Sequence, residues 1–267
     1  MKIAEFQEII WEKGRELYRV MPWRQDTRPY YVLVSEIMLQ QTQVERVIPK
    51  FNAFIATFPD IASLARAPLA EVLSLWSGLG YNRRARFLHM AAQKIVDEYG
   101  GVFPNTQKEL CTLPGVGVNT AGAIMAYSFN EPVVFIETNV RTVYFYHFFE
   151  VDGEVSDKEV GALVERTLDH EHPREWYWAL MDYGSHLKRQ GAGQNHKSKH
   201  YKKQAPLKGS LREMRGRIVR VLTAGDVSLE ELKSAVEADE RFTLAFDGLV
   251  RDMLIAQTAD IVHLTRT

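Results

Sequence analysis

From Met1 to Lys188 the apolar residues recur at helical spacing between short polar turns, and no stretch alternates apolar with polar residues as a sheet strand would. The first run sets the pattern. Ile3, Phe6, Ile10 and Leu17 share one face among Glu5, Gln7, Glu12, Lys13 and Arg15, which makes an amphipathic helix and not a secretion signal. Pro22, Pro29, Pro59, Pro68, Pro104, Pro114, Pro132 and Pro173 mark helix boundaries, because a proline lacks the amide a helix interior needs. Thr106-x-x-Glu109, Ser156-x-x-Glu159 and Ser228-x-x-Glu231 are capping boxes, each opening a helix. With 267 residues, 46% of them hydrophobic, the chain can fill a real core, and the expected fold class is mostly α.

A single cysteine, Cys111, excludes an intrachain disulfide and any metal site built from several thiolates. His196 and His200 stand one helical turn apart near His186, but the glycine-containing segment around them has no Cys, Asp or Glu, so no metal is expected. No run is long and apolar enough for a membrane helix; the expected location is the cytosol, or the nucleoid of a bacterial or archaeal cell. The formal net charge is only -1, yet the charges are segregated: eleven lysines and arginines lie between His186 and Arg220 against one acid, Glu213. A local field of this kind attracts phosphates, although a solvated basic linker has the same composition.

Between two helical runs stands Leu113-Pro-Gly-Val-Gly-Val-Asn-Thr-Ala121. Gly115 and Gly117 permit a tight turn with close backbone approach to a ligand, and the helix that follows offers unpaired amides, Thr120 among its first residues. With Leu-Pro before it and Thr-Ala after it, this turn resembles the helix-hairpin-helix of base-excision DNA glycosylases. The resemblance runs from Met21 to Lys188 through ordered blocks: Met21-Pro-Trp-Arg24, Ser35-Glu-Ile-Met-Leu-Gln-Gln-Thr-Gln43, Leu75-Trp-Ser-Gly-Leu-Gly-Tyr81 and Met181-Asp-Tyr-Gly184. They look like those of the MutY type, the adenine glycosylases acting on mispaired adenine. The fold implied is a two-lobed helical glycosylase domain over residues 1–188.

Hydrolysis of a purine N-glycosidic bond needs an acid for the departing base and a negative charge near the sugar as oxocarbenium character develops. Glu36 lies in a largely uncharged helix start, where desolvation raises a carboxyl toward a proton-donating value; the resemblance assigns its counterpart to protonating the purine and activating water. The second carboxylate departs from the pattern. Relatives carry an aspartate in a run like Asp-Gly-Asn-Val, whereas this chain has Glu137-Thr-Asn-Val140, with the charge on a longer stem and Asn139 in the matching frame beside the substrate pocket. Where bifunctional relatives use a lysine for Schiff-base chemistry, this chain has Asn119, which cannot form an imine, so lyase activity is expected to be weak or absent; Asn119 could orient water. Gln40 and Gln41 match wedge residues, and Tyr81 matches an aromatic that inserts beside the estranged base. Arg83 and Arg84 are expected on phosphates, and Arg24 resembles an arginine near the pocket.

Many relatives ligate a four-iron cluster with four cysteines after the Met-Asp-x-Gly helix; here they are missing, so no iron-sulfur cofactor is expected. A basic linker, residues 189–208, takes that place, and Lys188, Lys197, Lys199 and Lys202 are expected to supply phosphate contacts. Residues 209–267 read as helix, helix, helix and ribbon, the order of a small winged-helix-like unit whose third helix is acidic at Asp239, Glu240, Asp247 and Asp252. This segment is too short for the larger domain by which typical adenine glycosylases recognise 8-oxoguanine. The leading reading is a monomeric, monofunctional glycosylase that binds double-stranded DNA and releases adenine opposite guanine or 8-oxoguanine. Asn82-Arg83-Arg84-Ala85 looks more like the thymine type, which leaves T:G and U:G pairs as the enzyme alternative. A catalytically silent mispair-binding or regulatory protein is the alternative of another class.

Overall fold

A computed structural model describes residues 1–149, 154–194, 197–199 and 206–265. The elements run α1 (Ile3–Leu17), α2 (Pro22–Gln25), α3 (Pro29–Leu39), α4 (Val44–Thr57), α5 (Ile61–Arg66), α6 (Leu69–Trp76), α7 (Arg83–Tyr99), α8 (Gln107–Leu110) and α9 (Val118–Phe129). They continue with α10 (Thr138–Phe148), α11 (Asp157–Thr167), α12 (Pro173–Arg189), α13 (Leu211–Leu222), β1 (Val227–Ser228), α14 (Leu229–Ala235), α15 (Phe242–Arg251), β2 (Ile255–Thr258) and β3 (Ile261–Leu264). The mostly α class expected from periodicity is the class observed, and no described helix is long and apolar enough to cross a membrane. Two compact units are formed: residues 1–32, 105–112 and 116–203 in the first, and 33–104, 113–115 and 204–267 in the second.

In the first unit α12 packs between α1 and α10. Phe6, Tyr144, Trp176 and Tyr177 fill its centre with essentially no exposure, and Phe135 stacks on Tyr177 with ring centroids 4.0 Å apart. The Tyr177 hydroxyl donates to the Val133 carbonyl at 2.8 Å, so this large ring is buried with its polar end satisfied. Gly184 on α12 lies against the backbone of Asn139; a Cβ there would overlap it, so only glycine allows α10 to seat this closely. Two residues earlier, Asp182 is 1% exposed and accepts from Arg24 Nη1 at 2.6 Å, Arg24 Nη2 at 3.1 Å, Arg19 Nε at 2.7 Å and the Arg19 amide at 3.1 Å. Arg24, expected beside a substrate pocket, is instead turned inward, because a buried carboxylate requires a cation and α2 brings this one.

The second unit packs α4, α5, α6 and α7 around Phe51, Phe54, Leu64, Val72, Trp76, Leu88 and Ile95, all essentially inaccessible. Its carboxy-terminal module has the helix–strand–helix–helix–strand–strand order of a winged helix, with an antiparallel sheet ordered β1-β3-β2 and Val262 paired with Val227 and Gln257. The sequence indicated three helices and the last strand; β1, with two residues, is too short to show a pattern, and β2 lies in the stretch after the third helix to which the sequence assigns no strand. Its strand β3 packs on α6 within the same unit. Both serine capping boxes form in full, and a further one, Asp60 with Ser63, opens α5. At α8 only half the box forms: Thr106 accepts from the Glu109 amide at 3.3 Å while the Glu109 carboxylate takes the Thr106 hydroxyl.

Replacing Asp182 by Ala should cost about 3–5 kcal/mol, the penalty of leaving a buried guanidinium without its acid, readable as a drop in the urea midpoint. Burial pushes the imidazoles of His89 and His147 below the usual range of about 6.5. Depressed bases contribute stability that is present above the unfolded value and lost as pH falls through the folded one, so the melting temperature should decline from pH 7 toward pH 5. Glutamine at both positions should flatten that decline in a pH series of thermal melts.

Candidate functional site

Local geometry at Gly115 and Gly117 suits the phosphate-binding turn that the sequence indicates. Gly115 has φ +79°, and a Cβ on it would lie 2.9 Å from Cβ of Phe87, so no other residue fits. Gly117 is the extended N-cap of α9 with open space where a side chain would project, and no side chain caps the helix. The first amides of α9 therefore keep the hydrogen-bonding capacity and positive dipole end that suit an anion. Thr120 is half-buried in that first turn.

In the second unit α3 carries Glu36, half-buried between the inaccessible Ser35 and Ile37. One turn further, the helix runs out at Gln40 and Gln41, and the chain turns back. Gln41 has φ +57° and Tyr81 φ +49°, two non-glycine residues in the left-handed region. They meet side chain to side chain, the Tyr81 hydroxyl donating to Oε1 of Gln41 at 3.0 Å. Strained backbone persists only where surrounding contacts over-determine it, and Arg84 provides them. Its guanidinium donates to the carbonyls of Ile37, Met38 and Gln40 at 2.8, 2.9 and 2.5 Å, and to the Thr42 hydroxyl and Gly80 carbonyl at 3.1 Å each. These are the orphan carbonyls at the end of α3, joined by one cation to the Gly78–Tyr81 turn. Arg84 was expected on a phosphate; at 8% exposure it instead ties the end of α3 to the Gly78–Tyr81 turn, with burial lowering its pKa to about 10, so it stays cationic at neutral pH. Arg83, on the next position, is exposed.

In the first unit Glu137 occupies the N-cap position of α10 without a side-chain capping bond. Asn119 Oδ1 accepts from the Ile136 amide at 3.2 Å, fixing the backbone just before Glu137; its role in the structure is to anchor that segment. The Asn139 carboxamide oxygen is buried without a hydrogen-bond partner. Surrounding protein, then the Arg19 charge, hold the Lys188 amine below the usual lysine range, while Glu137 raises it, so amine and carboxylate are within electrostatic reach. Lys199 is exposed. Lys197, expected on DNA, is 7% exposed, and its ammonium donates to the Phe149 carbonyl at 3.1 Å. It closes a short bridge between Val155 and Ser198, which explains why it is unavailable to a phosphate. Lys202 lies outside the described residues, as does part of the 189–208 linker.

A model of the HhH-GPD superfamily of base excision DNA repair proteins matches residues 34–169. The chain belongs to that superfamily. An adenine DNA glycosylase of Mycolicibacterium smegmatis is 32% identical over 97% of this chain and 95% of its own length. The adenine DNA glycosylase of Buchnera aphidicola subsp. Baizongia pistaciae is 38% identical over 62% of this HhH-GPD chain and 48% of its own, so the chain spans about half the length of several curated relatives it matches. Among solved structures, a thermostable thymine-DNA glycosylase superposes with TM-score 0.62 at 25% identity, covering 68% of this chain and 86% of that one. An endonuclease III–DNA complex superposes with TM-score 0.53 at 19% identity, which speaks for the fold alone. The cysteine-ligated cluster of many relatives does not fit the residues present: Cys111 is alone and exposed.

Two residues escaped sequence reasoning. Asp182, which holds Arg24 and Arg19, stood inside a recognised block without an assigned role, and Arg212, whose Nη1 donates to the Tyr81 hydroxyl, stood in a basic run that gave no reason to single it out. Gly117→Val should weaken binding of duplex DNA with only a small drop in melting temperature, since the position is open and extended but valine is a poorer N-cap than glycine. Gly115→Ala should destabilise the fold by about 1–3 kcal/mol from backbone strain.

Proposed function

We propose that this chain is a monofunctional DNA glycosylase that hydrolyses the N-glycosidic bond of adenine mispaired with guanine or 8-oxoguanine, acting as a monomer on double-stranded DNA and without an iron-sulfur cluster. The observation that carries the reading is the wedge at the end of the helix bearing Glu36: Gln41 and Tyr81, both left-handed and bonded to each other, held by one buried arginine. Such a preformed element suits an enzyme that must fill the gap left by an extruded base. The near full-length likeness to an adenine DNA glycosylase supports adenine as that base.

Glu36 then acts as general acid toward the purine ring and as base toward water. Glu137 supplies negative charge to the developing oxocarbenium sugar, and Asn119 keeps its backbone in place through Ile136. With asparagine where lyases have an amine, no imine forms at that position. The likeness to a thymine-DNA glycosylase at TM-score 0.62 favours one second reading, excision of thymine or uracil opposite guanine.

Single-turnover base release from A:8-oxoguanine, A:G, T:G and U:G duplexes, with and without alkali, separates these readings. Breaks on the adenine duplexes only after alkali are expected. Glu36→Gln should lower that rate by roughly 10²–10⁴-fold without weakening duplex binding, as loss of a general acid–base does. Release from T:G or U:G alone would move the chain to the thymine reading, and binding without release from any duplex would leave a silent mispair binder.

A further inference from the structure

A side chain of the carboxy-terminal module, Arg212, reaches Tyr81. Arg212 sits in the first turn of α13, behind the Ser210 N-cap, where the helix dipole disfavours a cation; the helix itself gains nothing from an arginine there. Its Nη1 donates to the Tyr81 hydroxyl at 2.6 Å, and its guanidinium lies 5.3 Å from the centre of the Tyr81 ring. Arg84 lies 5.5 Å from the same ring. Since the Tyr81 hydroxyl in turn donates to Gln41, a charge-assisted chain runs from Arg212 through Tyr81 to Gln41, and in such a chain each bond polarises the next.

Beside this chain is a cleft of about 560 Å³, lined by Gln41, Tyr81, Phe87 and Arg212 among others, with Arg215 and Asp252 on the module side. Without a tether the Tyr81 ring has room to swing into it. The module is built to hold the tether still: Arg215 pairs with Asp252 at 2.5 Å, and Glu213, next to Arg212, is clamped by Arg241 at 3.1 Å and Arg217 at 3.2 Å. Met214 and Ile218 seat α13 in the core.

We propose that Arg212 is a positioning residue for the wedge, so that discrimination of the base opposite the excised adenine depends on the carboxy-terminal module. The inference rests on the glycosylase reading above. Arg212 fixes the angle of the Tyr81 ring and, through it, the Gln41 side chain, the two groups placed to test what the opposite strand presents.

The experiment is a double-mutant cycle on the full chain, with Arg212→Ala, Tyr81→Phe and their combination. The readout is the ratio of single-turnover adenine release from an A:G duplex to release from a duplex with an abasic analogue opposite adenine. Each single variant should lower that ratio roughly tenfold, the loss of a hydrogen bond to a charged group, and the double variant should lower it no further. Arg212→Lys keeps a donor without the planar fork and should recover part of the ratio, which also covers an alanine variant that fails to fold. An unchanged ratio, with both rates intact or reduced together, overturns the inference, as do two effects that multiply, since Arg212 would then act on DNA directly. Release of no adenine by the wild-type chain from either duplex fells the glycosylase reading and this inference with it; wild-type release with an unmoved ratio in the variants fells this inference alone.

Discussion

Burying a guanidinium in protein is costly unless acceptors gather around it, and in each unit of this chain one buried arginine draws such acceptors together, Arg84 through its two Nη groups and Arg24 through Asp182. In the second unit Arg84 collects the last carbonyls of α3 and the carbonyl of Gly80, so the end of the helix bearing Glu36 and the turn bearing Tyr81 cannot move independently. In the first unit Arg24 and Arg19 converge on Asp182, locking the chain between α1 and α3 to the middle of α12. Gly184 on that helix then lets α10 approach until its N-terminus, with Glu137, is placed by backbone contact.

The candidate acids stand on elements that are held in place by contacts elsewhere in the same unit. Glu36 stands on a helix whose end is capped by a side chain from α7, and Glu137 stands at a helix start tethered through Ile136 to Asn119. Gln41 and Tyr81 are two of the non-glycine residues with left-handed backbone, and Arg84, Gln41 and Arg212 surround the Tyr81 ring. Part of the basic run that looked like a free phosphate-attracting field is engaged within the protein: Arg215 and Arg217 pair with acids and Lys197 donates to a carbonyl, while Lys199 is exposed.

The helices, their caps and the glycine turn were legible because they follow from local rules: apolar period, a serine three residues before a glutamate, two glycines after Leu-Pro. The candidate acids were legible for a related reason, since a carboxylate in an apolar helix start is unusual by itself. Roles of the arginines were not. Arg24, Arg83, Arg84 and Arg212 are identical letters, and only packing makes Arg24 and Arg84 structural, Arg83 solvent-facing and Arg212 a tether.

By itself the sequence determined the mostly α class, the hairpin between α8 and α9, the order of the site blocks, and the want of thiolates for a metal cluster, because each depends on neighbouring residues or on composition. Tertiary structure alone decided which cations are buried and what they hold. Arg24 and Asp182 are 158 positions apart, and Arg212 and Tyr81 are 131 apart; no period or motif spans such distances. Burial of a charge is settled by what packs around it, and the desolvation it suffers selects the partner that only folding can bring.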